Sequence, residues 1–209
     1  MYNFKQGVLT LQKIFTVTEG IYEYVNLGRE YPFPTAPFSR CHKCGQVVHF
    51  KKHGFYERYL VCRFFNGRIT IRRYICPHCG CTISFLPDFC LPGFIHALEH
   101  IFEYTYSAYF RKGTLNSCVD TLNNKFNLNI SRQLLYQYRM RILENLTLIQ
   151  VGVRQFKPDI EFLQEGNDKK ERAKDILNIV KSWPTTINSF SQQFLEKNHK
   201  TIFAPCKLL

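Results

Sequence analysis

The chain has 209 residues, 45% of them hydrophobic and 15% aromatic, which suits one or two folded domains and excludes a disordered chain. Lysine and arginine number 28 against 16 aspartates and glutamates, so the formal net charge is +12 and a polyanionic partner is favoured. The apolar runs are far shorter than the roughly 20 residues that cross a bilayer, and Met1 to Thr18 lacks the features of a signal peptide. We therefore expect a cytoplasmic protein that does not enter a membrane.

Residues 1–37 form an N-terminal segment that ends in a proline-rich connector. Three prolines lie between Tyr31 and Phe38, and each one fixes its own backbone and restricts the residue before it. This stretch opposes a helix and predicts a boundary before residue 38.

Residues 38–92 are predicted to form a zinc ribbon. Two Cys-x-x-Cys pairs are each followed by glycine, a residue that tolerates the sharp turn needed beneath a bound metal. The cysteine count of nine is odd, which favours metal binding in a reducing compartment over disulfides. Cys81 is an alternative ligand, but a strand after the second pair is expected to carry it away. The predicted ligands of a structural Zn²⁺ ion are Cys41, Cys44, Cys76 and Cys79.

The 31 residues between the two cysteine pairs read as a β-hairpin. Glu57 to Phe65 and Arg68 to Ile75 are rich in aromatic and β-branched residues, and Asn66-Gly67 between them is typical of a two-residue hairpin turn. Residues 38–81 contain nine basic side chains and one acidic, an imbalance that favours phosphate contacts over a merely solvated sheet. The candidate DNA contacts of the hairpin are Lys51, Lys52, Arg58, Arg63, Arg68, Arg72 and Arg73.

Residues 93–156 are predicted to be helical. The apolar spacing from Ile95 to Tyr109 indicates a first packing helix. His96 and His100 within it have the spacing of a zinc-binding pair, but no third ligand accompanies them, so a structural role is favoured.

Residues 114–144 are predicted to form a helix-turn-helix. Thr114 is expected to cap a helix that ends near Phe126, and Ser131 to cap the next one after a turn that contains two asparagines. The alternative is an ordinary helical hairpin that has no DNA-binding role. In the DNA-binding interpretation the second helix enters the major groove. Its candidate DNA contacts are Arg132, Gln133, Tyr136, Gln137 and Arg139.

Five motifs together resemble an uncharacterised family of short bacterial proteins. They are Cys41-x-x-Cys44, His53-Gly-x-Tyr56-x-Arg58, the run from Ile69 to Cys79, Thr82-x-Ser84-x-Leu86-Pro-Asp-Phe89, and Ile130-Ser-Arg-x-Leu-Leu-Tyr136. That family looks like the N-terminal zinc-ribbon and helix-turn-helix parts of insertion-sequence transposases. The resemblance covers about residues 38 to 145. It implies binding to double-stranded DNA, and a separately encoded transposase or recombinase is a candidate partner.

The chain departs from a whole transposase after the predicted recognition helix. Only about 60 residues follow, too few for a ribonuclease H-like catalytic domain. Residues 157–209 instead predict a C-terminal helical segment that packs on the rest of the chain or on a second copy, and a homodimer would suit a repeated DNA site.

Taken together, the sequence predicts an α+β protein in which a small β zinc ribbon precedes a mainly α-helical domain. No complete catalytic constellation is present, so we expect a DNA-binding protein rather than an enzyme. One alternative is a zinc-ribbon adaptor that binds acidic proteins or RNA. Another is a metal-dependent nuclease built on Asp159 and Asp168 to Lys170, although these lie in a polar stretch typical of a solvated linker.

Overall fold

A computed structural model describes residues 11–163 and 168–204. The chain divides into two compact units, Met1–Ile95 and His96–Leu209. The predicted N-terminal segment and zinc ribbon both fall in the first unit. Of the sequence predictions, those that concern residues 1–10, 164–167 and 205–209 lie outside the described residues.

The described part of the first unit combines a four-stranded and a two-stranded sheet with one α-helix, α1, at Gly20–Leu27. The larger sheet has the order β1-β6-β5-β4, with β1 parallel to β6 and the other pairs antiparallel; β2 and β3 form the smaller, antiparallel sheet. The strands are β1 Leu11–Phe15, β2 Phe38–Arg40, β3 Val47–His49, β4 Lys51–Cys62, β5 Phe65–Ile75 and β6 Thr82–Pro87. The expected combination of sheet and helices is thus confirmed for the chain as a whole.

An aromatic cluster joins the N-terminal segment to the sheet. The Tyr24 side chain of α1 is fully buried, and its ring lies 4.7 Å from that of Tyr31 and 5.4 Å from that of Phe89. Its hydroxyl donates a 2.6 Å hydrogen bond to the Thr70 carbonyl in β5. Buried rings of this size contribute much of the apolar area of a small core, so α1 and the connector stabilise the back of the hairpin.

The hairpin forms as predicted, but its turn is not at Asn66-Gly67. Cys62 pairs with Phe65, so the two-residue connection is Arg63-Phe64, and Lys51 pairs with Ile75 at the open end. A turn at Asn66-Gly67 would pair Ile75 with residue 58 and leave the cysteine pairs separated by about seven residues, or roughly 23 Å along the strand. The observed register instead brings both cysteine pairs to the same end.

The described part of the second unit consists of six helices and their connections. The predicted first helix begins later than expected, at Leu98 rather than Ile95, and Ile95 is 51% exposed rather than part of a packing face. The helices are α2 Leu98–Phe110, α3 Leu115–Phe126, α4 Arg132–Glu144, α5 Leu146–Arg154, α6 Lys169–Lys181 and α7 Ile187–Asn198.

Both predicted caps around α3 and α4 are confirmed. The Thr114 hydroxyl accepts a hydrogen bond from the Ser117 amide, and the Ser131 hydroxyl accepts one from the Leu134 amide. Asn127 ends α3 in the left-handed conformation, with φ of 52°, which asparagine tolerates better than most residues. Side-chain caps of this kind satisfy backbone donors that a helix start leaves open.

Asn123 fixes the turn between α3 and α4. Its side-chain oxygen accepts a 2.8 Å hydrogen bond from the Ile130 amide, and its side-chain nitrogen donates a 3.1 Å bond to the Ile130 carbonyl. This two-point clamp ties α3 to the residue just before the α4 cap. The direction in which α4 leaves the turn is therefore set by α3.

The C-terminal segment is helical, as predicted, and packs within the second unit through α6 and α7. Phe190, Phe194 and Phe203 are fully buried. In α5, Gly152 is buried directly against the Phe194 ring. A side chain there would lie 2.7 Å from Phe194 Cζ and 2.9 Å from Asn198 Nδ2, closer than ordinary carbon contacts.

We expect Gly152→Ala to destabilise the second unit. Overpacking of this kind typically costs about 1–3 kcal/mol, which outweighs the gain in helix propensity of up to about 1 kcal/mol. Urea unfolding followed through the fluorescence of Trp183 measures the change. Thr147→Ala, at an exposed position of the same helix, is the control and should not lower the midpoint, because it gains helix propensity without overpacking. An unchanged or raised midpoint for Gly152→Ala would contradict this packing.

Candidate metal centre and basic surfaces

The two cysteine pairs are held by the same backbone arrangement. In the first, the Gly45 amide donates to the Cys41 carbonyl at 2.9 Å; in the second, the Gly80 amide donates to the Cys76 carbonyl at 3.0 Å. Both glycines have positive φ, 72° and 69°, a conformation that side chains disfavour. The predicted role of these glycines is confirmed, because each one closes the turn that holds a cysteine pair.

The four predicted cysteines lie together. All four sulfur atoms are within 4.8 Å of one another. The Cys41 and Cys79 sulfurs are 3.6 Å apart, and those of Cys44 and Cys76 are 3.8 Å apart. A tetrahedral ion with metal–sulfur bonds of about 2.3 Å requires sulfur atoms about 3.8 Å apart. The cluster therefore has the dimensions of a closed four-thiolate metal site.

Backbone amides favour the thiolate form of Cys41 and Cys79. Burial opposes ionisation of Cys41, but hydrogen bonds from the Cys44 amide, the Cys81 thiol and the Lys43 amide outweigh it and lower its pKa to about 5. A hydrogen bond from the Cys81 amide is the main reason that the pKa of Cys79 is also lowered. Metals bind the thiolate rather than the thiol, so these amides prepare the Cys41 and Cys79 sulfurs for coordination. The Gln46 amide acts in the same sense on Cys44, but burial and the hydrogen bonds that its thiol shares with the neighbouring cysteines outweigh it and raise the pKa of Cys44 to about 11.

The expectation that β6 carries Cys81 away from the metal site is wrong. The Cys81 sulfur lies 3.1 Å from that of Cys41, and the side chain is buried. The cause is the turn itself, since the Cys76 amide donates to the Cys81 carbonyl and holds residue 81 beneath the second pair before the strand begins. Cys81 also joins Cys41 and His42 in a second group whose ligand atoms lie within 4.8 Å of one another.

The basic residues of the hairpin do not share one surface. Alternation along the strands places Arg58 and Arg73 on the same side as the buried Ile71. The Arg58 guanidinium donates to the carbonyls of Leu91, at 3.1 Å, and Phe94, which is an internal structural role rather than a DNA contact.

Arg72 and Arg73 are half-buried against aromatic rings. The Arg72 guanidinium carbon lies 4.5 Å from the Phe55 ring centroid, and that of Arg73 lies 5.6 Å from the Tyr56 ring centroid. The exposed cations among the predicted set are Lys51, Lys52, Arg63 and Arg68, of which Arg68 pairs with Glu57 at 3.3 Å.

The predicted contacts of α4 are largely exposed. Arg139 is the exception, because it is half-buried with its guanidinium carbon 5.1 Å from the Tyr109 ring centroid, while the Tyr109 hydroxyl donates to its carbonyl. The side chains of the first two turns that face solvent are Arg132, Gln133, Tyr136 and Gln137. Their spacing places them on one face of the helix, opposite the buried Leu135, Tyr138 and Ile142.

The histidine pair of the second unit has a structural role. His96 is buried, and its Nδ1 atom lies 3.1 Å from the Tyr138 hydroxyl. His100 is also buried, with its ring 5.0 Å from that of Phe126. In the described part of the chain, no candidate metal group includes either histidine. The preference for a structural role over a zinc pair agrees with these contacts.

The carboxylates considered for a nuclease site are exposed. Asp159 lies in the connection after α5, and Asp168 precedes α6. Among the described residues, neither belongs to a group able to hold a metal ion. The candidate metal groups of the described residues therefore include the four cysteines but neither of these carboxylates.

The chain matches no protein-family model, no curated protein and no solved structure. Among the described residues, no helix combines the length and apolar character needed to span a bilayer. The cysteine cluster and the exposed basic residues are therefore the features of the described residues that bear on function.

We expect Cys79, rather than Cys81, to complete the metal site. Cys81→Ser should retain one tightly bound ion per chain after dialysis against a chelator, whereas Cys79→Ser should lose it, because three thiolates leave the tetrahedron incomplete. Elemental analysis of the purified variants gives the number of metal ions bound per chain. Equal retention by both variants would mean that the two sulfurs exchange as the fourth ligand.

The second unit should lose stability in mild acid through His96. Burial lowers the pKa of His96, so its neutral form is favoured in the folded state. The stability that the neutral imidazole contributes is therefore fully present above about pH 6.5, the pKa of histidine in the unfolded chain. It is lost as the pH falls through the lower pKa that His96 has in the folded state. Urea unfolding of the wild type and of His96→Gln at pH 7 and pH 5, followed by Trp183 fluorescence, measures this. The loss of stability between pH 7 and pH 5 should be smaller in His96→Gln than in the wild type. An equal loss in both proteins would contradict the assignment.

Proposed function

We propose that this protein is a zinc-stabilised DNA-binding protein that recognises double-stranded DNA through α3 and α4 used as a helix-turn-helix. The observation that carries the proposal is the solvent-facing set at the start of α4, which consists of Arg132, Gln133, Tyr136 and Gln137. Arginine and glutamine are the side chains that make paired hydrogen bonds to guanine and adenine in the major groove. A capped helix start that carries them suits entry into that groove.

The local structure supports this use of α4. A recognition helix must be presented in a fixed direction, and the clamp of Asn123 on Ile130 fixes the turn that precedes it. The helices α2, α3 and α4 pack on one another, which gives α4 a rigid support on the face away from solvent. The positive end of the helix dipole and the exposed Arg132 both favour a nearby phosphate.

The cysteine cluster supports a structural rather than a catalytic metal. Four thiolates fill the coordination sphere of zinc, so no open position is left for a reactive water. Zinc is the metal proposed because four thiolates at tetrahedral spacing are its usual structural site. In this proposal the ion holds the hairpin in register, and Lys51, Lys52, Arg63 and Arg68 supply further phosphate contacts.

The resemblance to the binding part of insertion-sequence transposases supports a role at mobile-element ends, in company with a separately encoded transposase or recombinase. Recovery and sequencing of the genomic fragments that the purified protein retains would test this part. Enrichment of element ends is the expected result. Retention of unrelated fragments in proportion to their abundance would leave DNA binding intact but remove the mobile-element role.

We expect the protein to bind a 20-base-pair duplex with a steep salt dependence, since each phosphate contact releases a counterion. Fluorescence anisotropy of a labelled duplex at increasing salt gives the slope. A flat slope, or tighter binding to RNA or to an acidic protein, would contradict the proposal and favour an adaptor or RNA-binding role. Magnesium-dependent cleavage of the duplex that Asp168→Ala abolishes would favour a nuclease.

Substitutions in α4 should separate DNA contacts from packing. Arg132→Ala and Gln133→Ala are expected to weaken binding to a selected duplex, by about 1–3 kcal/mol for a paired base contact, with unchanged unfolding midpoints. Arg139→Ala is the matched control in the same helix. It should lower the unfolding midpoint because it removes the stacking on Tyr109, yet leave the affinity of the folded protein unchanged. The reverse pattern would show that α4 does not read DNA through its exposed face.

A further inference from the structure

The second unit has a second basic and aromatic surface, in a part of the chain to which the proposed function assigns no role. The surface consists of Phe156, Lys157, Trp183 and Lys197. Phe156 and Lys157 follow α5, Trp183 follows α6, and Lys197 lies in the last turn of α7. Residues from two connections and one helix therefore meet at one place on the second unit.

Each lysine of this surface lies over an aromatic ring. The Lys157 ammonium is 4.9 Å from the Trp183 ring centroid, and the Lys197 ammonium is 4.4 Å from that of Phe156. The two rings are 6.1 Å apart and nearly perpendicular. Lys197 also donates to the Gln155 carbonyl at 3.3 Å. Cations held over rings present positive charge and apolar surface side by side.

The Phe156 and Trp183 rings are anchored to the core on one side and partly exposed to solvent on the other. Trp183 lies 5.0 Å from the fully buried Phe190, which anchors it to the core of the second unit. Phe156 and Trp183 are themselves only half-buried, and both lysines are exposed. An open cavity of about 450 Å³ lies directly beside Phe156 and Lys157. Its other lining residues are Pro158, Asp159 and Ile160.

The lysines are available to an external anion. Within residues 11–163 and 168–204, neither the Lys157 nor the Lys197 ammonium forms an ion pair. Asp159 balances the charge of Lys157 within the cavity lining, and Lys197 brings the net charge of these three side chains to +1. By contrast, Lys174 on the neighbouring α6 pairs with Glu171 at 2.8 Å. A phosphate at the surface would therefore meet two cations that contact rings and, for Lys197, one backbone carbonyl, but no carboxylate among the described residues.

We propose that this surface binds single-stranded nucleic acid, with the phosphates on Lys157 and Lys197 and a base stacked on Trp183. A flexible lysine can leave the ring for a phosphate and give its place on the ring face to a base. Base stacking on an exposed aromatic ring contributes about 1–3 kcal/mol and does not depend on the base. A duplex keeps its bases stacked inside and cannot use the ring, so the surface favours single strands.

Trp183 is the only tryptophan of the chain and reports on the surface directly. Its fluorescence, excited at a wavelength that avoids tyrosine, is followed while the full-length protein is titrated with a 12-nucleotide oligothymidylate. Parallel titrations use a 12-nucleotide oligouridylate, a 12-base-pair duplex and an oligoglutamate peptide. We expect saturable quenching by the single strands and little or none by the duplex or the peptide. Stronger quenching by oligouridylate than by oligothymidylate would identify RNA as the preferred strand, and the reverse would identify DNA.

Single substitutions test which side chains bind the oligonucleotide. Lys157→Gln and Lys197→Gln should each weaken the quenching titration by about fivefold, and each should lower the slope of log affinity against log salt by about 0.7, the value for one lost contact to a single strand. Lys174→Gln, which removes an ion-paired lysine from the same unit, should change neither. Trp183→Phe, followed by anisotropy of a labelled oligonucleotide, should retain partial binding, because one aromatic ring replaces another.

The proposal is overturned if no oligonucleotide quenches Trp183, if oligoglutamate quenches it as strongly, or if Lys174→Gln weakens binding as much as the two surface lysines do. These outcomes are independent of duplex recognition by α4. The Arg132→Ala protein should quench normally with a single strand even though its binding to a duplex is weakened. Failure of the helix-turn-helix proposal would therefore leave this result intact, and the converse also holds.

Discussion

The structure of the first unit depends on the meeting of two cysteine pairs at one end of a hairpin. The observed pairing of Lys51 with Ile75 brings Cys41, Cys44, Cys76 and Cys79 to sulfur separations that suit a single tetrahedral ion. A strand register is normally specified by its buried face and its turn, and a shift by an even number of residues leaves the faces unchanged. The observed register is the one that closes the cysteine cluster, whereas a turn at Asn66-Gly67 would keep the same buried face and leave the cysteine pairs apart.

The same register decides which cations of the hairpin reach solvent. Arg58 faces inward and donates to backbone carbonyls, whereas Arg63 stands at the turn and is exposed. Arg72 and Arg73 are half-buried against rings. Part of the local excess of positive charge in the sequence thus stabilises the fold, and the rest is exposed to solvent.

The second unit presents its two candidate nucleic-acid surfaces by different means. The exposed residues of α4 belong to a regular helix whose start is fixed by a cap and by the Asn123 clamp, an arrangement suited to reading a rigid duplex. The surface around Trp183 is built from connections and helix ends, with flexible lysines beside half-exposed rings. Such a surface suits an unpaired strand whose bases can turn outward. Together they would allow one chain to hold both forms of DNA that occur where strands are opened.

The sequence alone was sufficient for the features that local chemistry fixes. The spacing and trailing glycines of the cysteine pairs predicted the metal cluster, and the caps Thr114 and Ser131 predicted the starts of α3 and α4, because these signals act over a few residues. Only the tertiary structure placed the hairpin turn at Arg63-Phe64, kept Cys81 beside Cys41 and turned Arg58 inward. Asn66-Gly67 favours a turn when taken alone. The free energy of this local preference is small compared with that of bringing the two distant cysteine pairs together. Partners far apart in the chain become visible only once the fold has brought them together.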